Sequence, residues 1–297
     1  MVYQSPDELD FQVSERPSLS RPTRVLLTTP THFDVEYVIN PHMSDNVGDV
    51  NKEVAFQQWK ALRAAYTALD ISPVTVNGQS GLPDMVFCAN QTLPFYRPQA
   101  DERGVILSRM HAEERKDEVP YYADFFADEE YTVKRLPDDL DGDFEGMGDA
   151  IWHPGRFLLW GGYGFRTSPA VYEAISNMLE VPVLIMELTD ADYYHLDTCF
   201  CPLDGEHVVI APAAFTDEGL ALIDECFDTI IEAPDDEARH QFACNAHSPD
   251  GTHVLIQEGC EGTIERLRDE GFRPIELDTS EFLKAGGSVF CMKQMIW

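Results

Sequence analysis

Two segments of the chain combine residue types that suit acid–base chemistry. Phe144–Ala150 places Glu145 among glycines, which let a polypeptide backbone approach a ligand closely. Tyr194–Phe200 carries His195 and Asp197 two positions apart, so on a β-strand both side chains would face the same way. A carboxylate beside an imidazole can fix its tautomer and raise its pKa. Taken singly, each segment is more typical of an acidic turn or of a hydrogen-bonded core histidine.

A third segment offers a nucleophile. Leu283–Cys291 brings Cys291 shortly after the pair Gly286-Gly287, and a thiol beside flexible backbone, with a histidine elsewhere, suits nucleophilic catalysis. The usual role of a thiol in an apolar strand is that of an inert buried side chain. That role fits the other cysteines, which are Cys88, Cys199, Cys201, Cys226, Cys244 and Cys260.

The cysteine pattern also bears on metals and on the cellular compartment. The seven cysteines are odd in number and include no Cys-x-x-Cys pair, so we expect reduced thiols and no thiolate zinc site. The histidines other than His195 do not cluster, and we expect neither a metal nor another cofactor. The first 19 residues lack a basic start and an apolar stretch, which predicts a cytoplasmic protein without a secretory signal.

Charge excludes two classes of partner. The 297 residues include 21 basic and 53 acidic ones, a formal net charge of −32. This field would repel nucleic acids and anionic membrane surfaces, and no apolar run approaches the length of a membrane span. Hydrophobic residues make up 44% of the chain, so the acidity does not indicate disorder. It suggests adaptation to high intracellular salt, the alternative being an ordinary acidic enzyme.

The elements that must position these residues follow an α/β rhythm. Residues 1–20, with Pro6 and Pro17, predict a loose N-terminal arm, and residues 21–297 predict one domain without an internal linker. Helices are predicted at Lys52–Leu69, Glu113–Ala127, Pro169–Leu179, Thr216–Phe227 and Gly262–Glu270. Short strands are predicted between them, among them Arg24–Thr28, Met85–Cys88, Val105–Ser108, Val183–Glu187, Val254–Gln257 and Ser288–Met292. This rhythm fits both a doubly wound parallel sheet and a closed ring of small strand–helix modules.

Taken together, the segments around Glu145, His195 and Cys291 resemble the amidinotransferase and guanidine-deiminase superfamily, the penteins. The further segments 29–41, 86–90 and 161–167 resemble its arginine dihydrolase branch, which is related to dimethylarginine dimethylaminohydrolase. The resemblance covers residues 24–297. It implies a five-bladed, pseudo-symmetric α/β propeller built of ββαβ modules, with the site in its central channel.

The resemblance also implies roles for individual residues. Cys291 would be the nucleophile and His195 the general acid and base, while Glu145 and Asn90 would hold the two sides of a guanidinium group. The amino-acid end of the substrate would be bound by Asn40, Arg109 and Arg166. Asp197 would bind substrate or orient His195. For Arg109 the alternative is a surface ion pair with Glu113 or Glu114, which would contribute little.

The implied reaction is hydrolysis of a guanidino C–N bond in arginine or a close derivative. Attack needs a thiolate, which a nearby imidazolium or the bound cation would favour by lowering the thiol pKa. Cys291 would form a thiouronium adduct, and His195 would first protonate the departing amine and then activate water. The amide of Asn90 can both donate and accept, so it could hold citrulline for a second round that ends in ornithine, ammonia and carbon dioxide.

Alternatives stay open from the sequence. A dimethylarginine dimethylaminohydrolase or an arginine deiminase would stop at citrulline, and an amidinotransferase would pass the amidino group to an amine. A protein of another class, a non-catalytic propeller that binds a partner, is disfavoured by the charge and by the presence of Glu145, His195 and Cys291 together. For each of these possible enzymes the expected binding partner is a small-molecule substrate, a guanidino amino acid.

Overall fold

Five separate small sheets make up the mixed α/β fold. The computed structural model describes all 297 residues. The strand orders are β1-β9-β8-β7, β10-β11-β12, β13-β14, β15-β2-β3 and β4-β5-β6. The strands are β1 (Val2–Tyr3), β2 (Arg24–Thr28), β3 (Ser72–Val76), β4 (Thr92–Arg97), β5 (Glu102–Leu107), β6 (Thr132–Lys134), β7 (Ala150–Trp152), β8 (Leu159–Tyr163), β9 (Val183–Glu187), β10 (Phe200–Pro202), β11 (His207–Ile210), β12 (Thr229–Glu232), β13 (His253–Gln257), β14 (Arg273–Leu277) and β15 (Gln294–Ile296).

The helices connect parallel strands, as short βαβ crossovers do. Each of the longer helices α1, α2, α4, α5 and α7 lies in the chain between two strands that pair in parallel. The helices are α1 (Lys52–Ala68), α2 (Val119–Asp128), α3 (Gly146–Asp149), α4 (Val171–Leu179), α5 (Asp217–Cys226), α6 (Asp235–His240), α7 (Glu261–Asp269) and α8 (Ser280–Leu283).

One pattern of pairing repeats through the sheets. In four of them one strand pairs antiparallel with the neighbour on one side and parallel with the neighbour on the other side. In the sheet of β13 and β14 the antiparallel partner is reduced to a single bridge between His247 and Leu255. The sheet of β15, β2 and β3 joins distant parts of the chain, because Gln294 pairs with Leu26.

Most of the predicted helices are confirmed within two residues of their bounds. Asn51 caps α1 by accepting a hydrogen bond from the Val54 amide at 3.2 Å, and Thr216 caps α5 in the same way through the Gly219 amide at 3.1 Å. The α1 helix buries Trp59 and Leu62, which lie three positions apart on one face. Helical periodicity and capping residues were therefore sufficient to locate these elements.

Three elements were predicted wrongly. The predicted helix Glu113–Ala127 divides into a 3-10 helix, Glu113–Glu118, followed by α2, which has a proline in its first turn. Met85–Cys88 is not a strand, because Pro83 begins a 3-10 helix that ends at Val86. Ser288–Met292 forms turns, and the strand of that region is β15. In both segments the apolar residues are buried by tertiary packing. A short run of buried apolar residues has the same sequence pattern as a buried strand, so hydrophobic periodicity alone cannot tell the two apart.

The first twenty residues are not the loose arm that was predicted. β1 pairs with β9, so that Val2 lies opposite Val183, and the N-terminal ammonium group donates to Ser176 Oγ at 2.5 Å. Tyr3 and Leu19 are buried. The edge of β9 offers unpaired backbone groups, and the N-terminal segment satisfies them by adding a strand. No helix in the structure has the length and apolar character needed to cross a bilayer.

Candidate active site

Glu145 lies at the centre of a buried polar cluster. It precedes α3, and its side chain is entirely buried. The Oε2 atom lies 2.6 Å from His195 Nε2 and 3.2 Å from Arg166 Nη1, and Oε1 accepts a hydrogen bond from the His111 amide at 3.0 Å. The predicted pairing of Glu145 with His195 in one site is thus present as a direct contact.

The charge state of Glu145 follows from these neighbours. Burial alone would raise its pKa. The hydrogen bond from His195, the charge of His195, and the guanidinium groups of Arg166 and Arg115 outweigh burial and hold the pKa of Glu145 well below its ordinary value. The site therefore contains a permanent carboxylate that can accept hydrogen bonds from a planar cation.

Cys291 contacts a second carboxyl group. Its Sγ lies 3.2 Å from Asp197 Oδ2 and 3.1 Å from Asn245 Nδ2. His195 and Asp197 were expected on one face of a strand, but they flank the start of a 3-10 helix, Leu196–Thr198, before β10 begins. This turn points the two side chains at different partners, His195 at Glu145 and Asp197 at Cys291.

The thiol is protonated in this arrangement, contrary to the expectation that an imidazolium would lower its pKa. Burial, and then the neighbouring Asp197, raise the pKa of the Cys291 thiol well above its ordinary value, against a smaller lowering effect of Asn245. Burial also raises the pKa of Asp197 to about 7. His195 is hydrogen-bonded to Glu145 and not to the sulfur, which leaves a bound cation as the means of activating the thiol.

Asn245 organises the nucleophile, although nothing in the sequence indicated it. Its Oδ1 accepts hydrogen bonds from the amides of Ser288 at 3.0 Å and Cys291 at 3.2 Å. Its Nδ2 donates to Cys291 Sγ and, at 2.8 Å, to the Asp197 carbonyl. One amide thus ties the turn before Cys291 to the turn of Asp197, over a separation of 46 residues that no local motif reveals.

Asn90 is fixed by a buried ion pair that the sequence did not indicate. Its Oδ1 accepts a hydrogen bond from Arg115 Nη1 at 2.9 Å, and Arg115 pairs with Glu118 at 2.9 Å. Asn90 Nδ2 is buried without a hydrogen-bond partner. It packs against Gly148, where an added Cβ would lie 2.3 Å from it and 3.4 Å from His195 Cγ. The amide therefore presents its free N–H groups beside His195.

Arg166 and Asn40, predicted to bind the amino-acid end of a substrate, both lie at this cluster. Arg166 Nη2 donates to the Ile39 carbonyl at 2.5 Å while Nη1 contacts Glu145. Asn40 Nδ2 donates to the Ala285 carbonyl at 3.1 Å, next to the glycine turn that precedes Cys291. The loop that contains residues 39 and 40 therefore closes over the cluster.

Arg109 does not join the others. Its guanidinium donates to the carbonyls of Leu140, Gly142 (3.2 Å) and Pro137 (3.0 Å). It does not form the alternative ion pair with Glu113 or Glu114. Its backbone pairs with Phe144, so that Arg109 anchors the segment that leads into Glu145.

The site as a whole is closed and rich in nitrogen and oxygen donors and acceptors. Glu145, His195, Asp197 and Cys291 are each at most 2% exposed. No three His, Cys, Asp or Glu side chains are placed to hold a metal ion. The cluster offers an ionised carboxylate, an imidazole, an activatable thiol and free amide hydrogens, which suits covalent chemistry on a planar, cationic carbon centre.

Comparison with known proteins agrees with this geometry. The family model for N,N dimethylarginine dimethylhydrolase, eukaryotic, matches residues 21–297. The bifunctional arginine dihydrolase/ornithine cyclodeaminase ArgZ of Synechocystis sp. is 37% identical over 274 residues, which cover 91% of this chain. The chain spans only 37% of the length of that protein. N(G),N(G)-dimethylarginine dimethylaminohydrolase of Mycobacterium tuberculosis is 34% identical over 274 residues, covering 91% of this chain and 85% of that protein.

A solved structure shows the same arrangement of elements. The crystal structure of the N-terminal domain of ArgZ, bound to product, superposes with a TM-score of 0.86 at 36% sequence identity. The match covers 92% of this chain and 97% of that domain.

Proposed function

The chain belongs to the N,N-dimethylarginine dimethylhydrolase family, and on that premise we propose that it is an arginine dihydrolase. It would hydrolyse the guanidino C–N bond of arginine through a covalent adduct on Cys291. The observation that carries the proposal is that one buried cluster brings together two contact pairs, the Cys291 thiol with Asp197 and His195 with the ionised Glu145, whose histidine and aspartate lie two positions apart in the chain. The similarity to ArgZ supports the choice of substrate.

Binding of the cation activates the nucleophile. The guanidinium group of the substrate lies between Glu145 and Asp197, and its charge lowers the pKa of both Asp197 and Cys291. The Cys291 Sγ lies 3.2 Å from Asp197 Oδ2, so Asp197, once the bound cation has caused it to release its own proton to solvent, accepts the thiol proton when the thiolate forms. Arg166 and Asn40 orient the amino-acid end, and Arg109 acts on the site only by anchoring its backbone.

The first round then follows from the positions of His195 and Cys291. The thiolate adds to the guanidinium carbon, and His195, held by Glu145, donates a proton to the departing nitrogen, so that ammonia leaves and a thiouronium adduct forms. His195, now neutral, removes a proton from water. The resulting hydroxide attacks the adduct carbon, which releases citrulline and restores the thiolate.

Asn90 supports a second round. Because Arg115 occupies its carbonyl oxygen, Asn90 offers hydrogen-bond donors to the site. The guanidinium group has no acceptor for these donors, whereas the ureido group of citrulline has an oxygen. Citrulline is therefore retained, and Cys291 attacks its ureido carbon, so that a second ammonia leaves and a new adduct forms on the sulfur. Hydrolysis of this adduct yields the carbamate of ornithine, which decomposes to carbon dioxide and ornithine.

We infer the finer architecture from the sheets. Five sheets with a repeated pairing pattern, and the pairing of β15 with β2, support a five-bladed propeller of ββαβ modules that closes on itself. The span of the family match supports one catalytic domain at residues 21–297.

A time-resolved product assay tests the function. Purified enzyme in molar KCl is mixed with arginine, citrulline or dimethylarginine, and amino acids and ammonia are measured by mass spectrometry and a coupled assay. We expect ornithine and two equivalents of ammonia from arginine, and no turnover by Cys291→Ser. Citrulline as the sole, lasting product would instead identify an arginine deiminase. Turnover of dimethylarginine alone would identify a dimethylarginine dimethylaminohydrolase, and a requirement for an added amine an amidinotransferase.

A further inference from the structure

A second cavity, of about 80 Å³, lies away from the catalytic cluster. None of Glu145, His195, Asp197 or Cys291 lines it. Its walls come from the N-terminal segment, the loop after β7, the segment before β13 and the region around β15, and the residues that matter here are Arg21, Trp152, His247, Phe290, Lys293 and Trp297.

Lys293 is the unusual member of this lining. Its side chain is 1% exposed, and its Nζ forms no hydrogen bond and no ion pair. The ring of Phe290 packs against the amine, with its centroid 3.2 Å from Nζ. Burial lowers the pKa of Lys293 to about 7, against a smaller raising effect of the charge of Asp197. A buried amine is ordinarily retained with a partner that satisfies its hydrogens, and no protein group accepts a hydrogen bond from Nζ.

His247 supplies a second donor without a partner. Its Nδ1 lies 2.9 Å from the hydroxyl of Tyr66, its Nε2 forms no hydrogen bond, and the residue lines the cavity. Burial, and then the charges of Lys293 and Arg21, lower the pKa of His247, so the three basic groups act on one another electrostatically.

Arg21 is a third basic residue at the cavity, beside Lys293 and His247. Its guanidinium donates to two backbone carbonyls, those of Ser248 at 3.2 Å and Leu203 at 3.3 Å, and no carboxylate pairs with it. No aspartate or glutamate lines the cavity, although the chain has 53 acidic and only 21 basic residues. These three basic side chains thus line this cavity in a protein of net charge −32.

We propose that this cavity is a binding site for a small carboxylate anion, whose oxygens accept hydrogen bonds from Lys293 Nζ and His247 Nε2. The indole rings of Trp152 and Trp297 provide apolar walls for a short carbon chain. A carboxylate has two oxygens for two separate donors, whereas a monatomic anion has a single centre and no apolar part. The volume limits the ligand to a few heavy atoms. The cavity does not include the catalytic side chains, although the charge of Lys293 acts on Asp197 of the catalytic cluster.

Titration with simple anions tests the proposal. Acetate and propionate are added to the full-length protein at constant ionic strength, with chloride as the replaced anion, and binding is followed by tryptophan fluorescence and calorimetry. We expect saturable binding of both carboxylates, weakened at least tenfold in Lys293→Met. Lys284→Met, which removes a surface lysine paired with Glu281 and Asp49, serves as the matched control and should bind like the wild type.

Two results would overturn the proposal. One is an equal response to chloride and to the carboxylates, and the other is undiminished carboxylate binding by Lys293→Met. If Lys293→Met does not show a cooperative melt, His247→Gln takes its place, because it keeps a polar side chain toward Tyr66 and repositions the second donor. Unchanged carboxylate affinity of His247→Gln would equally contradict the assignment.

Discussion

Asp197 and Cys291 are neighbouring buried acids that both hold their protons more tightly than they would in water. Each is buried and lies against the other, with 3.2 Å between Sγ and Oδ2. Burial raises the pKa of both groups, so the resting thiol is a poor nucleophile. Under the proposed mechanism, binding of a cationic substrate would reverse this condition and restrict the reactive thiolate to the complex.

Asp197 makes stability depend on pH. Its pKa is about 7 in the folded protein against an ordinary 3.8, so the folded state binds the proton more tightly. Its contribution to the free energy of unfolding is therefore present below about pH 4 and is lost as the pH rises toward about 7, on the order of 1 kcal/mol per pH unit. Asp197→Asn should be more stable than the wild type near pH 7 but not near pH 4, and inactive.

Urea unfolding of both proteins at several pH values measures this difference. Asp236→Asn, at a side chain that is 86% exposed, is the control and should leave the pH dependence unchanged. A stability difference between Asp197→Asn and the wild type that does not grow with pH would contradict the prediction.

Asn90→Asp should change the product. A carboxylate at this position would pair with Arg115 and accept hydrogen bonds from the guanidinium group, so the first round continues. It would repel the ureido oxygen, and citrulline should accumulate in place of ornithine. The ratio of citrulline to ornithine, measured by mass spectrometry, checks this expectation. The exposed Asn77 provides the control variant Asn77→Asp, and an unchanged ratio in Asn90→Asp would exclude the role of the amide.

At the scale of elements, short turns and not long helices position the catalytic groups. Glu145 precedes the four-residue helix α3, and the turn at Gly286 precedes Cys291. Gly146 has φ +55°, and an added Cβ would lie 2.6 to 2.9 Å from the carbonyl oxygens of Thr92, Asn90 and Ala89. Glycine at this position is therefore required both by the dihedral angle and by the close approach of another segment.

Gly146→Ala separates these two effects when it is compared with Gly271→Ala. Gly271 has φ +87° and no atom within 4 Å of an added Cβ, so its substitution costs only the backbone strain, about 1 kcal/mol. Gly146→Ala adds the clash and should cost roughly 2–4 kcal/mol in total, with loss of activity through Glu145. Urea unfolding and activity assays measure both, and equal costs for the two variants would show that the clash is relieved.

The sequence could predict the features that have local signals and could not predict those that depend on contacts between distant residues. Helices such as α1 and α5 were predictable, because apolar period and capping residues are local signals. Glu145, His195 and Cys291 were singled out because glycines or a second polar residue accompany them in short motifs, and their proposed roles came from the resemblance to a family. Asn245 and the pair of Arg115 with Glu118 were missed, because their partners lie 25 or more residues away or their burial depends on tertiary packing.

At the scale of the whole molecule, charge is the dominant property. Exposed carboxylates outnumber cations, and most ion pairs are at the surface, where each contributes little. Repulsion among like charges opposes the compact state, and salt screens it. The melting temperature should therefore rise by roughly 5 °C or more between about 0.1 M and about 2 M KCl. Scanning calorimetry measures the rise, with sucrose as the uncharged control; a melting temperature that is insensitive to KCl would indicate an ordinary acidic enzyme.

The pairing of β15 with β2 has a consequence for synthesis on the ribosome. Residues 24–28 emerge early, yet their antiparallel partner, residues 294–296, is translated some 270 positions later, and Cys291 precedes that partner by only three residues. Until then the nascent polypeptide exposes an unpaired edge of β2 and lacks the proposed nucleophile. A polypeptide truncated before residue 291 would therefore be open to proteolysis at that edge and, under the proposed mechanism, inert.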